Sequence, residues 1–290
     1  LKPMLDEYLK LTRLDRPVGS LLLLWPTLAA LWMAAAGQPP FYLIIVFTLG
    51  TLLMRSAGCV INDYADRKVD GSVKRTKDRP LVTGTIRPSE ALRLFFALLA
   101  GAGLLAMSLN QQTLLLAVGG AAVATLYPFM KRWTHLPQVV LGAAFSWGIL
   151  MAWTAQDKSL AEVSWLLFFS SLLWIVAYDT LYAMVDRDDD LIVGIKSTAI
   201  LFGDLDRLII GILQCAALLG FILTGLKLGY EHLFFVAMFC IACLFIYQQW
   251  LIRDRGRDGS FAAFRNNIWV GVALFGGTVS ELALRGWLSA

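Results

Sequence analysis

The feature that most restricts the fold of this chain is a series of apolar stretches, each long enough to cross a lipid bilayer as a helix. Such a crossing needs about 20 consecutive apolar residues. Nine windows of this kind lie at 18–36, 41–61, 88–108, 113–130, 137–155, 163–184, 207–227, 232–252 and 266–288. Because backbone polar groups find no water inside lipid, each window is predicted to be α-helical. The sequence therefore predicts an all-α, polytopic membrane protein, a bundle of nine transmembrane helices forming one domain over residues 1–290.

The overall composition points to the same class of protein. Of the 290 residues, 58% are hydrophobic and 16% are charged, whereas soluble domains carry about 25% charged residues. The opening segment, residues 1–17, lacks the compact apolar core of a signal peptide. Its apolar residues fall on one helical face, which suits a helix lying along the membrane surface. These residues are Leu1, Met4, Leu5, Tyr8 and Leu9.

Positive charge is distributed unequally between the two sides of the predicted bundle. With nine crossings, the N-terminus and the loops after even-numbered helices share one side. That side holds Lys2, Lys10, Arg13, Arg16, the basic loop 67–87, Lys131, Arg132, Arg187, Lys196, Arg207, Arg253, Arg255 and Arg257. The other side shows Lys158, Lys227 and Arg285. The first side is therefore predicted to be cytoplasmic and the C-terminus to lie outside. The net charge of +4 reflects this orientation and does not indicate a nucleic-acid partner.

A first polar cluster closes the second apolar window. Asn62, Asp66 and Asp70 are spaced by four residues, so a continuous helix would place them in one stripe. Arg55, seven residues before Asn62, extends that stripe deeper into the membrane. Asp63 points elsewhere and is assigned to solvent or to an indirect role. Charged groups this close to hydrocarbon are costly, which makes them candidates for function.

A second cluster follows the sixth apolar window with the same kind of spacing. Asp179, Asp186 and Asp190 are separated by seven and four residues, again one stripe on a helix. Asp188 and Asp189 point away from it and are assigned to solvent or to an indirect role. Two unneutralised carboxylate stripes facing each other would repel and raise each other's pKa values.

Magnesium would resolve this repulsion, because it is bound by a few carboxylates together with substrate phosphates. Nearby basic side chains would cover the remaining phosphate charge. They are Lys74, Arg75, Arg79, Lys131, Arg132 and Lys196. The plainer alternative is that the acids cap helices or pair with arginines on a wet surface, and that the basic residues serve membrane topology.

These segments resemble the motifs of the UbiA superfamily of intramembrane prenyltransferases over most of the chain. Residues 62–70 (NDYADRKVD) are similar to its first motif, N-D-x-x-D-x-x-x-D. Residues 178–190 (YDTLYAMVDRDDD), with 194–197 (GIKS), resemble its second motif, and residues 127–131 (YPFMK) fit Y-x-x-x-K. Residues 55–59 and 134–138 resemble the bacterial branch that acts on 4-hydroxybenzoate in ubiquinone synthesis.

The resemblance implies helices around a central cavity with cytoplasmic cap loops, in a bacterial inner membrane with the C-terminus periplasmic. It also implies Mg²⁺ as cofactor, a polyprenyl diphosphate donor and 4-hydroxybenzoate as acceptor. The implied metal ligands are Asn62, Asp66, Asp70, Asp186 and Asp190. The implied catalytic residues are Asp66, Asp70, Asp179, Asp186 and Asp190. Together with the charge argument above, the resemblance predicts as substrate-binding residues Arg55, Asn62, Lys74, Tyr127, Lys131, Arg132 and Lys196.

Several individual roles stay open at this point. The predicted reaction is an electrophilic aromatic substitution in which an allylic cation meets the ring carbon ortho to the acceptor hydroxyl. Arg55 either binds the acceptor carboxylate or forms an internal ion pair with an aspartate. Three tyrosines either support the cation with their ring faces or anchor helices at the membrane interface; they are Tyr127, Tyr178 and Tyr182. Asp179 either accepts a proton or has a metal-linked or structural role.

Three other functions are weighed against this one. Another branch of the superfamily would prenylate haem, a naphthoate or a chlorophyll precursor. A secondary transporter would also carry intramembrane acids, but near the bilayer midplane and on interrupted helices. A phospholipid-type alcohol phosphotransferase would pair acidic magnesium sites, yet its D-G-x-x-A-R signature is missing from the sequence.

Overall fold

The computed structural model describes the backbone of residues 2–288 and the side chains of residues 4–288. Within that range the chain forms helices and no strand, with 3₁₀ turns at Asp70–Ser72 and Gly203–Leu205. The helices are α1 (Lys2–Thr12), α2 (Val18–Ala34), α3 (Phe41–Asp66), α4 (Pro80–Thr83), α5 (Pro88–Ala106), α6 (Gln111–Met130), α7 (Pro137–Thr154), α8 (Glu162–Val193), α9 (Thr198–Phe202), α10 (Asp206–Lys227), α11 (Leu233–Leu251) and α12 (Arg257–Leu288). The all-α prediction is confirmed.

Each predicted apolar window contains one long helix. Seven helical segments of the described chain are long and apolar enough to cross a bilayer. They are Phe41–Asp66, Pro88–Ala106, Gln111–Met130, Glu162–Val193, Thr198–Lys227, Leu233–Leu251 and Arg257–Leu288. α2 is apolar but shorter, and α7 is not among the seven. The chain is a multi-pass membrane protein, and the count of nine crossings stays a prediction.

The outer surface of the bundle is apolar along the middle of its helices. Leu115 on α6, Phe239 and Ile246 on α11, and Trp269 on α12 are all exposed. A soluble protein rarely exposes apolar surface on this scale. In a bilayer, lipid tails cover these side chains, so the same residues favour insertion.

Two helices occupy the interior and position the site. α8 packs against α7, α10 and α12, and α2 packs against α3, α7 and α12. Their contacts form the main core, with Leu31, Trp174, Phe221 and Leu274 fully buried. The 32 residues of α8 span about 48 Å at 1.5 Å per residue. Because the hydrocarbon core is only about 30 Å thick, the last turns of α8 extend beyond it.

The segment after α8 is fixed to the end of α6. Gly194 has φ +72°, a left-handed conformation that glycine adopts without a steric cost. It turns the chain so that the Ile195 N–H donates to the Asp190 carbonyl at 3.0 Å. The Lys196 N–H then donates to the Lys131 carbonyl at 3.1 Å. The end of α6 and the second cluster are thereby joined by backbone.

α1 covers the charged end of the bundle beside α3 and α4. Its Leu11 is fully buried in a small cluster with Val60 and Phe95, while Met4 and Leu5 are exposed. The buried contact with α3 was not predicted. Leu1 lies outside the described residues, and contact between the exposed face of α1 and lipid stays a prediction.

Candidate active site

The first acidic cluster lies where α3 ends. Asn62 and Asp66 occupy successive turns of the helix, as their spacing predicts. Asp70 does not continue this stripe, because the Val69 N–H bonds the Asp66 carbonyl at 2.8 Å and the helix stops in a tighter turn. The prediction of one stripe of three residues is therefore wrong at Asp70, which begins a 3₁₀ turn. Its carboxylate is still buried, within 2.7 Å of Arg79 Nη1.

Asp63 forms ion pairs beside this cluster. It is buried rather than solvated, so of the two predicted positions the structure has the indirect one. Arg13 Nη2 donates to both its carboxylate oxygens, at 2.9 and 3.1 Å. Arg79 Nη1 lies 2.9 Å from Asp63 and also bonds Asp70. The pKa of Asp70 is raised above its usual value, mainly because the carboxyl group is buried. The charge of Arg79 lowers this pKa, whereas the carboxylates of Asp66 and Asp63 raise it further.

Lys131, just beyond the end of α6, reaches across to α3. Its Nζ lies 2.9 Å from Asp66 and 3.1 Å from the Asn62 side-chain oxygen. Burial opposes the charge of this ammonium, but the carboxylate of Asp66 raises the pKa of Lys131 above its usual value. A cation held permanently in this position is suited to binding phosphate.

The second acidic cluster lies on the uninterrupted helix α8. Asp179, Asp186 and Asp190 share one side of it and face the same cavity, as predicted. Arg75, from the loop after α3, donates to Asp186 through Nε at 3.0 Å and Nη2 at 2.6 Å. In the described part of the chain, no lysine or arginine nitrogen lies within 4.0 Å of Asp179 or Asp190. Two carboxylates of this cluster are thus open to a ligand.

The other two aspartates of the run bind the surrounding loops. Asp188 is exposed and lies 3.3 Å from Arg257. Asp189 is buried, which is the indirect one of its two predicted positions, and it accepts from Arg257 Nη1 at 3.1 Å. It also accepts from the Lys74 backbone N–H at 3.4 Å. This side of α8 therefore anchors α12 and the loop after α3.

One cavity of about 970 Å³ connects the two clusters. Its charged end is lined by both acidic clusters and by basic side chains from several elements. The predicted site residues that line it are Arg55, Asn62, Asp66, Asp70, Tyr127, Lys131, Asp179, Asp186, Asp190 and Lys196. The two clusters therefore face a common space, which the sequence could suggest but not establish.

Two predicted substrate-binding residues do not line this cavity. The Lys74 side chain is exposed, and only its backbone takes part in the cluster contacts. Arg132 donates to the Ala65 carbonyl at 2.6 Å and lies outside the cavity wall. Arg75 and Arg79, which belong to the same loop, occupy the wall instead. The loop has no regular backbone, so no periodicity in the sequence indicates which of its cations face inward.

Arg55 lies deeper in the cavity, beneath the first cluster. Gly19 makes room for it, because a Cβ there would lie 2.4 Å from its guanidinium. The guanidinium carbon is 5.6 Å from the centre of the Phe145 ring. No carboxylate of the described residues is within 4.0 Å of Arg55, so the internal ion pair is not formed. Arg55 Nε and the Tyr178 hydroxyl are buried without a hydrogen-bond partner in the described chain.

The donor set at the charged end fits magnesium better than a softer metal. All candidate ligands are oxygens, which Mg²⁺ prefers. The open carboxylate of Asp190 stands near the paired carboxylates of Asp66 and Asp186, facing the same cavity. Within the described residues no three His, Cys, Asp or Glu side chains come together closely enough to hold a metal ion by themselves. An open set of this kind suits an ion that is also held by substrate phosphates.

The rest of the cavity is an apolar tunnel that runs towards the opposite face of the membrane. Its walls come from α2, α3, α5, α6 and α7, including Leu22, Phe47 and Met151. Gly103 on α5 and Val118 on α6 line it and are exposed. The tunnel therefore opens sideways between α5 and α6. A charged mouth joined to an apolar tunnel accommodates a molecule with a polyanionic head and a long hydrocarbon tail.

Comparisons with known proteins agree with this geometry. Residues 23–271 match the UbiA prenyltransferase family. A 4-hydroxybenzoate octaprenyltransferase of Marinobacter nauticus is 54% identical over 280 residues, covering 96% of this chain and 95% of that protein. A protein of the same name from Tolumonas auensis is 56% identical over 272 residues, covering 94% and 95%.

Solved structures show the same fold at low sequence identity. A UbiA homolog from Aeropyrum pernix superposes with a TM-score of 0.82 at 24% identity, covering 92% of this chain and 98% of that one. A UbiA homolog from Archaeoglobus fulgidus, solved with GPP and Mg²⁺, superposes with a TM-score of 0.74 at 19% identity, covering 94% and 99%.

Proposed function

Because the chain belongs to the UbiA prenyltransferase family, we propose that it prenylates 4-hydroxybenzoate. The polyprenyl group of a polyprenyl diphosphate moves to the ring carbon ortho to the hydroxyl, an early step of ubiquinone biosynthesis. Relatives named for this acceptor align over nearly the whole chain. The observation that carries the proposal is the single cavity in which two acidic clusters adjoin an apolar tunnel.

The charged end of the cavity binds the diphosphate of the donor. Lys131 and Arg75 present their cations beside Asp66 and Asp186, where phosphate oxygens can accept from them. Asn62, Asp66, Asp70, Asp186 and Asp190 would hold Mg²⁺. The chemistry that bound Mg²⁺ supplies is electrostatic, since its charge stabilises the diphosphate as the allylic C–O bond breaks.

The acceptor binds deeper in the cavity than the diphosphate. Arg55 matches the planar carboxylate of 4-hydroxybenzoate with two parallel N–H donors. Its Nε has no partner in the described chain, so the protein leaves that donor available. Asp179 on α8 faces the same space without a salt bridge and takes the ring proton after the new C–C bond forms. The electron pair of the broken C–O bond leaves with the diphosphate.

The walls of the cavity protect the reaction from water. An allylic cation is captured as an alcohol wherever water reaches it. Tyr127 and Tyr178 border the reacting region, and below them the tunnel is lined by apolar side chains. Tyrosine ring faces also stabilise a nearby cation.

A transporter fits this structure less well. α3 continues unbroken to Asp66, and α8 continues unbroken to Val193, so neither acidic cluster stands on an interrupted helix. Both clusters lie at one end of the bundle, beside α1. In the proposed orientation this end faces the cytoplasm of a bacterial inner membrane, and the C-terminus is periplasmic.

The experiment that tests the proposal is an acceptor screen with purified protein in detergent. Geranyl diphosphate, Mg²⁺ and 4-hydroxybenzoate are expected to give a C-prenylated acid, identified by mass spectrometry, and chelation by EDTA is expected to stop its formation. Benzoate, which lacks the hydroxyl that activates the ring, serves as the matched negative acceptor. A product formed only with a naphthoate would assign the chain to another branch of the family, and donor that stays intact with every acceptor would refute the proposal.

A further inference from the structure

A tryptophan forms part of the tunnel wall about halfway through the membrane. Trp147 on α7 lines the tunnel, and its indole lies flat against Gly119 and Gly120 of α6. The indole N–H donates to the Leu116 carbonyl at 2.7 Å, which fixes the ring against α6. Phe168 of α8 contacts the ring edge-on, with the ring centres 6.4 Å apart.

This position of the ring depends on the absence of side chains on α6. A Cβ at Gly120 would lie 2.6 Å from Cδ1 of Trp147 and 3.1 Å from its Cγ and Nε1. A Cβ at Gly119 would lie 3.1 Å from Cζ2. Contacts below 3.0 Å force a movement. With Phe168 contacting it, the indole would have to swing into the tunnel and lose its bond to Leu116.

The ring lies at a depth that only longer donors pass. Along α6, Gly120 is seven residues from Tyr127 and eleven from Lys131, or roughly 10 and 16 Å at 1.5 Å per residue. One isoprene unit is roughly 5 Å long, because four carbon–carbon bonds of about 1.5 Å lie along it. With the diphosphate at Lys131 and the reacting carbon beside Tyr127, the two units of a geranyl tail end at about the level of the ring, whereas an octaprenyl tail must pass it.

We propose that Trp147, packed on Gly119 and Gly120, determines how long an isoprenoid tail the tunnel accepts. The inference rests on the proposed function and adds the donor-length determinant to it. The bare α6 surface holds the indole aside and keeps the tunnel open to long polyprenyl diphosphates. Any side chain at residue 120 closes the tunnel by displacing the indole, while the space nearer the diphosphate is unchanged.

The test compares kcat/KM for octaprenyl and geranyl diphosphate, with 4-hydroxybenzoate and Mg²⁺ saturating. In Gly120→Ala the ratio of octaprenyl to geranyl transfer is expected to fall by about 10-fold or more, the usual effect of a misplaced methyl or methylene group in an apolar pocket. The double variant Gly120→Ala with Trp147→Ala is expected to restore the ratio, because the group that blocks the tunnel is gone.

Gly276→Ala is the matched control. This glycine also lies inside an apolar helix, nothing is within 4 Å of the position of its Cβ, and it is not part of the tunnel wall. In Gly276→Ala the ratio of octaprenyl to geranyl transfer should equal that of the parent. Equal losses with both donors in Gly120→Ala, or a ratio that the double variant fails to restore, would overturn the inference. A parent protein that uses neither donor would instead refute the proposed function.

Discussion

The two acidic clusters face one cavity but balance their charge differently. In the first, Asp63, Asp66 and Asp70 each bond to a lysine or arginine. In the second, Arg75 holds Asp186, while Asp179 and Asp190 have no such partner among the described residues. The first cluster is therefore neutralised by the protein itself, and the second leaves negative charge for a ligand.

This difference assigns separate tasks to α3 and α8. The cations that neutralise the first cluster come from α6 and from loops, so they also fix those elements to the end of α3. The open carboxylates stand on α8, the central helix, which packs against α7, α10 and α12. We infer that the α8 side supplies most of the metal affinity and that the α3 side organises the diphosphate. The four predictions below test this division, from the largest expected effect to the smallest.

The most direct test removes charge from the open side. Asp190→Asn preserves shape and breaks no salt bridge, but it removes an oxygen donor for Mg²⁺. Turnover is expected to fall on the order of 10²–10³-fold, the size seen when one electrostatic contact to a transition state is lost. The measurement is kcat at saturating Mg²⁺ together with the thermal midpoint, which should stay unchanged. Asp188→Asn, on the exposed side of the same helix, is the control, and similar losses in both variants would contradict the division of tasks.

The next test concerns the acceptor, beneath the first cluster. Arg55→Ala removes the proposed guanidinium–carboxylate contact, so KM for 4-hydroxybenzoate is expected to rise roughly 10- to 100-fold, equivalent to about 1.5–3 kcal/mol. KM for the donor should change much less. Steady-state kinetics with each substrate varied separately provides the measurement. An equal rise in both KM values would remove Arg55 from the acceptor site.

A third test compares neighbouring cations of one loop. Arg75→Gln is expected to raise the donor KM about 10-fold, because a charged hydrogen-bond donor facing the diphosphate is worth roughly 1.5 kcal/mol. The Lys74 side chain points away from the cavity. Lys74→Gln should therefore change the donor KM by no more than about twofold, as for most surface changes. Titration with donor in the presence of Mg²⁺ measures both. The same effect in both variants would mean that the loop acts through its overall charge alone.

The smallest expected effect is on stability at the neutralised side. Arg79→Met leaves the buried carboxylates of Asp63 and Asp70 without a shared partner, which should cost on the order of 1–3 kcal/mol of unfolding free energy. Arg257→Met breaks pairs with Asp188 and Asp189 in a more exposed position and should cost at most about 1 kcal/mol. Thermal melts in one detergent compare the two. A larger loss of unfolding free energy in Arg257→Met than in Arg79→Met would contradict the view that the first cluster is the one neutralised by the protein itself.

The regular parts of the molecule could be predicted from the sequence, and the irregular parts could not. Helical spacing placed Asn62 and Asp66, and separately Asp179, Asp186 and Asp190, because these residues lie on helices that continue through them. The apolar windows gave the long helices for the same reason. Beyond the end of a helix, the spacing of residues no longer indicates which of them share a face.

The unpredicted contacts of the first cluster all involve the end of α3 or the loops around it. The burial of Asp63 depends on Arg13, fifty residues away, and on Arg79. The inward position of Arg75 and the outward position of Lys74 are set by contacts with α8. These are tertiary interactions between distant segments, for which one sequence contains no periodic pattern.

An opening between α5 and α6, at the exposed tunnel residues Gly103 and Val118, would let reactants meet the enzyme from within the bilayer. A polyisoprenoid entering there never has to desorb into water, and its prenylated product can return the same way. The encounter takes place in two dimensions, so the governing quantity is donor molecules per lipid rather than per litre. Diluting the bilayer with inert lipid should slow turnover even when the bulk concentration of every reagent is held constant.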